Sequence, residues 1–202
     1  MVRGYNKADG WDNVRYLLHA MNSKSIADRP CVFLSHKKED KPACRRVAEY
    51  FQEAEIDYYL DELDETLQQA ASSGNVELII ESLKKGIRES THMLVVVSEK
   101  TIESHWVPFE IGYGHAAIVD VSIQENKPQD KIKLAVLTLK DISEIKLPDF
   151  MDVAHQVRGI KGLNEYISRI SGKPEGEMAN KNLILKHHRM SHPLDNVLNW
   201  EK

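Results

Sequence analysis

Two short apolar runs restrict the fold of this chain more than anything else in it. CVFLS (Cys31–Ser35) and HMLVVVS (His92–Ser98) lack the alternation of a strand with one wet face. Strands of this kind must be covered on both sides, as in a parallel sheet sandwiched between helices. The segments around them change period accordingly. After Asp40 and Pro42, which suit a helix start, Cys44, Val47, Phe51 and Ala54 form a helical stripe. A second stripe, Val76, Ile79, Ile80, Leu83 and Ile87, follows a capping Asn75. IDYYLD (Ile56–Asp61), Ile132–Leu139 and a weak segment around His155–Arg158 supply further strands, and Leu163–Ile170 a closing helix. Strand and helix alternate five times, which predicts an α/β fold: a flavodoxin-like three-layer sandwich with a five-stranded parallel sheet. Ligands in such sheets lie beyond the carboxyl ends of the strands, where strand order reverses.

The alternating pattern occupies residues 30–170. Residues 1–29 read as an N-terminal helical extension, in which Trp11, Val14, Leu18 and Met21 form a stripe that would pack on the main domain. Residues 171–202 open with a linker-like SGKPEGE and predict a helix around Leu183–His188. His187, His188 and His192 lie in that tail; His188 and His192 would share a helix face as two metal ligands might, but no third ligand is evident, so a basic tail or subunit contact is the preferred reading over metal. The segment Glu62–Asn75 is expected to be a long loop, and long loops tend to be functional. A net charge of −4 gives no reason to expect nucleic acid as a partner. No apolar run is long enough to cross a membrane, and the two cysteines, Cys31 and Cys44, have neither zinc nor disulfide spacing. The cytoplasm is the expected compartment.

SHWVPFEIGYG (Ser104–Gly114) carries the chemistry. On a helix from 105 to about 119, Trp106, Glu110, Tyr113 and Ala117 share one face. A carboxylate in an apolar, aromatic stripe is costly unless it has a partner or a task. Topology alone brings this helix start to the same sheet edge as the loop after Ser35 and the loop after Asp61.

Several occupants of this architecture fail on their chemistry. A phosphate-receiving regulator needs an acidic pair after the first strand and an aspartate ending the third, where Ser35-His36 and Ser98 stand. Neither GxGxxG nor GxxxxGK[ST] occurs, and HKKED is no flavin phosphate loop. Three stretches in order do fit one family. VFLSHKKED resembles the first box of TIR domains, DYYLDELD the second strand leading to the BB loop, and SHWVPFEIGYG the third box. The sequence departs at His36, where an aromatic residue is common, and in a BB loop without its usual proline.

The resemblance implies an enzyme that cleaves the nicotinamide–ribose bond of NAD⁺, which is substrate rather than cofactor. It implies Glu110 as the catalytic carboxylate and Trp106 as a stacking residue. Ser35, His36 and Lys37 are expected near the diphosphate or ribose, with Lys37, Lys38 and Lys41 balanced between phosphate contact and a solvated surface run. Asp61 either accepts from a ribose hydroxyl or braces the BB loop. The product, ADP-ribose, a cyclic isomer or a base-exchange conjugate, stays open. Resemblance to antiphage TIR proteins implies a separate effector that senses the product. Self-association through the BB loop (Glu62–Asn75) is also expected. The rival readings are a non-enzymatic TIR adaptor that docks onto other TIR domains, and a nucleoside deoxyribosyltransferase-like enzyme.

Overall fold

Five strands, β1 (Cys31–Ser35), β2 (Asp57–Tyr59), β3 (His92–Val97), β4 (Leu134–Thr138) and β5 (His155–Arg158), pair in the order β2-β1-β3-β4-β5. Every pairing is parallel, with Phe33 opposite both Tyr59 and Met93. The computed structural model describes residues 3–23, 28–120, 131–140, 142, 147–174 and 192–200. The predicted helix around Leu183–His188 and the histidines His187 and His188 lie outside them.

The helices are α1 (Gly10–Asn22), α2 (Lys41–Glu53), α3 (Glu65–Ser73), α4 (Val76–Arg88), α5 (Trp106–Gly114) and α6 (Gly159–Ser171). They cover both faces of the sheet, as the non-alternating strands require. On one face Val47 and Phe51 of α2 meet Leu163 and Tyr166 of α6. On the other, Leu83 and Ile87 of α4 and Val107 and Ile111 of α5 pack over Phe33, Met93 and Val95. Asn75 caps α4 by accepting from the Leu78 amide at 3.1 Å.

Both extensions are tied to this sandwich. Near the N-terminus, Tyr5 accepts from the Tyr58 amide at 2.9 Å and the Lys7 amide donates to Tyr58 at 2.8 Å, which covers the β2 edge. The buried Asn6 side chain then holds both backbone groups of Leu60, accepting from its N–H at 3.2 Å and donating to its carbonyl at 3.4 Å. Near the C-terminus, Leu194 and Leu198 are buried in the α2–α6 core. Asn199 accepts from the Ile160 amide at 2.8 Å where Gly159, at φ 63°, leaves no Cβ to obstruct the crossing chain. His192 is buried too; its Nδ1 accepts from the Leu194 amide at 3.1 Å, and its Nε2 lies 3.1 Å from the Tyr50 hydroxyl.

Three sequence expectations need correction. Helix α1 forms, but it packs through the opposite face. Asp12 accepts from the Asn6 amide, Tyr16 lies edge-on to Tyr5 with the Lys7 ammonium 4.0 Å from its centroid, and His19 Nδ1 lies 2.6 Å from the Tyr5 hydroxyl. The Trp11, Val14, Leu18 and Met21 stripe faces outward. Second, the segment expected as a long loop holds α3, started by Asp64, whose side chain accepts from the Leu67 amide, and ended by Gly74 at φ 66°. Its short amphipathic pattern, Leu67 and Ala70, is too sparse to read as a helical stripe, though both end signals are present. Third, the buried stripe of the third-box helix is Val107, Glu110, Ile111 and Gly114 rather than one through Trp106 and Ala117. The α-helix ends at Gly114 and continues as a π-helical turn, His115–Asp120.

Asn6→Ala removes both hydrogen bonds to Leu60 and leaves its buried backbone unsatisfied. Urea unfolding should therefore show a loss of about 1–3 kcal/mol.

Candidate active site

At the carboxyl edge of the sheet, between the neighbours β1 and β3, strand order reverses. A cleft of about 290 Å³ opens there, lined by His36 and Lys41 from the chain after β1, Asp61 and Gln68 from the segment after β2, and Trp106 and Glu110 of α5. The volume is near the lower end of the ~300–1,000 Å³ usual for ligand pockets.

Glu110 sits where α5 passes close to the end of β1. The Ser35 hydroxyl, itself buried, donates to Glu110 Oε2 at 2.5 Å. That bond joins the last residue of β1 to the middle of α5. Loss of solvation pushes the Glu110 carboxyl up from its ordinary 4.5 to about 8; the Ser35 hydrogen bond opposes this, and the Asp61 charge adds to it. In the free protein at neutral pH, then, the carboxyl mostly keeps its proton.

His36 and Asp61 form the neighbouring wall. His36 Nδ1 lies 3.1 Å from the Leu34 carbonyl, which can only accept, so Nδ1 carries the proton. Its Nε2 faces Asp61 Oδ1 at 3.8 Å. Asp61 lines the cleft, and its Oδ1 is buried without a hydrogen bond. Bracing of the following segment falls instead to Asp64, which accepts from the Tyr59 hydroxyl and caps α3. Sequence reading passed over Asp64, although an aspartate just before a helix signals that role.

Trp106 lies at the rim, 39% exposed, with its ring edge-on to Phe109 at 6.2 Å. The lysines divide. Lys37 turns to Glu103, 3.4 Å away, and does not line the cleft, whereas Lys38 and Lys41 do. The structure thus brings Ser35, His36, Asp61, Trp106 and Glu110 together and leaves Lys37 aside. It also places Asp40 differently from a cap: its carboxylate accepts from Ser98 at 2.6 Å and Thr101 at 3.1 Å, tying the start of α2 to the chain after β3. Among the described residues, no group of three or more His, Cys, Asp or Glu converges as metal ligands would. Nor is any helix among them long and apolar enough to cross a membrane.

The cleft is electrically divided. Lys38 and Lys41 contribute cations to its lining, and Asp61 and Glu110 contribute carboxyls. A ligand that fits has an anionic part, a part rich in hydroxyls, and a group for Trp106 to stack on.

Comparison with known proteins bears on the family. The family model described as "TIR domain" matches residues 32–156, more than half of the chain. A protein of Cytobacillus dafuensis named "Putative cyclic ADP-D-ribose synthase TIR2" is 28% identical over 101 residues, 48% of this chain and 26% of that protein. The aligned part thus spans about a quarter of that relative's length.

The raised carboxyl has a consequence for stability. Below pH 4.5 Glu110 is protonated whether the chain is folded or not; as pH rises towards about 8 the unfolded chain ionises first, and the folded state loses stability. Glu110→Gln should melt higher than wild type, with a margin that grows from pH 5 to pH 8. Thermal melts across that range check the sign.

Proposed function

The chain belongs to the TIR domain family, and from that premise we propose that it cleaves the nicotinamide–ribose bond of NAD⁺ with Glu110 as its catalytic carboxylate. The observation that carries the reading is a single buried carboxyl, held by Ser35, lining a cleft at the sheet's reversal point beside Trp106.

One such group is enough for this bond. The electron pair of the breaking C1′–N bond goes to a cationic pyridinium, so nicotinamide leaves neutral and no general acid is needed. The requirement is to stabilise the ribosyl oxocarbenium ion, which a fixed carboxylate in a poorly solvated site does well. Arrival of the cationic ring favours ionisation of Glu110, because an opposite charge nearby offsets the burial that holds its proton. Trp106 would stack on that ring, Asp61 would accept from a ribose hydroxyl, and Lys38 and Lys41 would meet the diphosphate. Ser35 acts through Glu110, as a positioning residue, and His36 borders Asp61. Lys37 is directed at Glu103, which weakens its part in binding.

Water at the ribosyl cation gives ADP-ribose, and the adenine of the same molecule gives a cyclic isomer. The name of the Cytobacillus dafuensis relative supports cyclisation as the finer activity. A cytoplasmic role in antiphage immunity, with the product sensed by a separate effector, is the setting we propose. The rival, a docking adaptor, draws on exposed Leu63, Val76 and Leu78 at the two ends of the segment Glu62–Asn75, which are also the surface for the self-association we propose there.

Release of nicotinamide from NAD⁺ by concentrated protein tests the enzyme reading. Glu110→Gln should lower the rate at least about a hundredfold while keeping the fold. Asp61→Asn should mainly raise KM, roughly tenfold to a hundredfold, for the loss of a charged acceptor. An inert concentrated wild type, or a Glu110→Gln variant as fast as wild type, would sink the proposal. Because the carboxylate is the working form, kcat/KM should climb with pH and level off above about 8, the value burial gives Glu110. A fall over that interval would instead make the protonated form the active one.

A further inference from the structure

Helix α1 turns its apolar side to solvent. Trp11 is 81% exposed, Val14 50%, Leu17 52%, Leu18 58% and Met21 83%. The inward face is built from Asp12, Tyr16 and His19, each held by residues 5–7, so the orientation of the helix is fixed by contacts rather than left to chance. Large exposed apolar patches on a folded domain mark interaction surfaces.

The spacing says what kind of surface this is. Trp11, Val14, Leu18 and Met21 recur at intervals of three, four and three, the a/d seam of a helix that packs along another helix. We propose that α1 is a homodimerisation helix that pairs antiparallel with α1 of a second copy across a two-fold axis. In that arrangement Trp11 covers Met21 of the second copy, a favourable thioether–aromatic contact, and Val14 meets its Leu18. The helix dipoles oppose one another, and the same patch serves both copies, as a closed two-fold interface requires. Burying the five side chains removes on the order of 500 Å² per copy, near the lower end for a specific interface, so the dimer forms with rising concentration.

A membrane is the other occupant such a helix could have. Helices that lie on anionic lipid carry several Lys or Arg beside the apolar face. In α1 there is one, Arg15, set against Asp9 at the cap and Asp12 in the first turn. The charges favour a protein partner, and the seam favours a helix.

Sedimentation equilibrium of the full chain over a wide concentration range tests this without reference to NAD⁺. Wild type should shift from one chain mass to two. Val14→Glu should stay at one in a Leu63→Glu background, which removes the separate contact proposed through Glu62–Asn75, with an unchanged melting temperature in dilute solution because both side chains are exposed in the monomer. Trp11→Gln, a milder change, should weaken association at least about tenfold, as loss of a central aromatic anchor does. Oxidation of a mixture of Val14→Cys and Leu18→Cys chains should link one variant to the other, and neither efficiently to itself; the native Cys31 and Cys44 are buried and will not compete. The proposal is overturned by a wild type that stays monomeric at every concentration, including one that instead co-sediments with anionic phosphatidylserine vesicles. It is equally overturned by a dimer that Val14→Glu leaves intact in the Leu63→Glu background, or by cross-linking of each variant chiefly to itself.

Discussion

A sheet that is apolar on both faces can hold polar chemistry only at its ends. Phe33, Met93, Val95 and Val136 are buried against helices, and no charged group could enter that interior cheaply. The polar loops therefore gather at the carboxyl edge. There the reversal between β1 and β3 lets the chain after β1, the chain after β2 and the start of α5 approach one another. The site follows from how the sheet is covered, and Glu110 is the one acidic group that the covering helix carries part of the way in.

Glu110 is held there by a single strong donor. Ser35 is the last residue of its strand, so its position is fixed by the β1–β3 ladder, where it stands opposite Val95. The bond to Glu110 thus sets α5 relative to the sheet as well as the carboxyl within the cleft. Close approach of the helix has a second cause at Gly114, where any Cβ would run into the Met93 sulfur. The same closeness that strips water from Glu110 raises the proton affinity of its carboxyl. A site built in this way sacrifices some stability so that a charge in it counts for more.

The sheet was legible in the sequence because its signal is local: apolar runs of strand length, bounded by polar residues. Cys31–Ser35 and His155–Arg158 fall where they were expected, and β2, β3 and β4 are only shorter at their ends. The Trp106–Glu110 spacing pointed to a helix that lines the cleft, and the structure puts Asp61 and Ser35 near Glu110. What failed was what depends on contacts between distant segments. The exposed side of α1 could not be foreseen from its period, since Tyr5, Asn6 and Lys7 select the polar side by hydrogen bonds and ring packing. The choice between Lys37 and its neighbours turned on Glu103, far along the chain. In α3 the cap signals are present at Asp64 and Gly74, but Leu67 and Ala70 make too sparse a stripe to mark a helix between them.

The clamp of Asn6 on Leu60 and the burial of Leu194 and Leu198 separate two boundaries that are easily confused. Matched residues 32–156 carry the family's pattern. By themselves they lack the segments that cover the β2 edge and complete the α2–α6 core. A fragment trimmed to them would bare the β2 edge, remove the Asn6 clamp next to Asp61, and leave α2 without its partners α6, Leu194 and Leu198 on one face of the sheet. Recognisability and closure are set by different residues here, and segments outside the matched range are the ones that close the structure around its cleft.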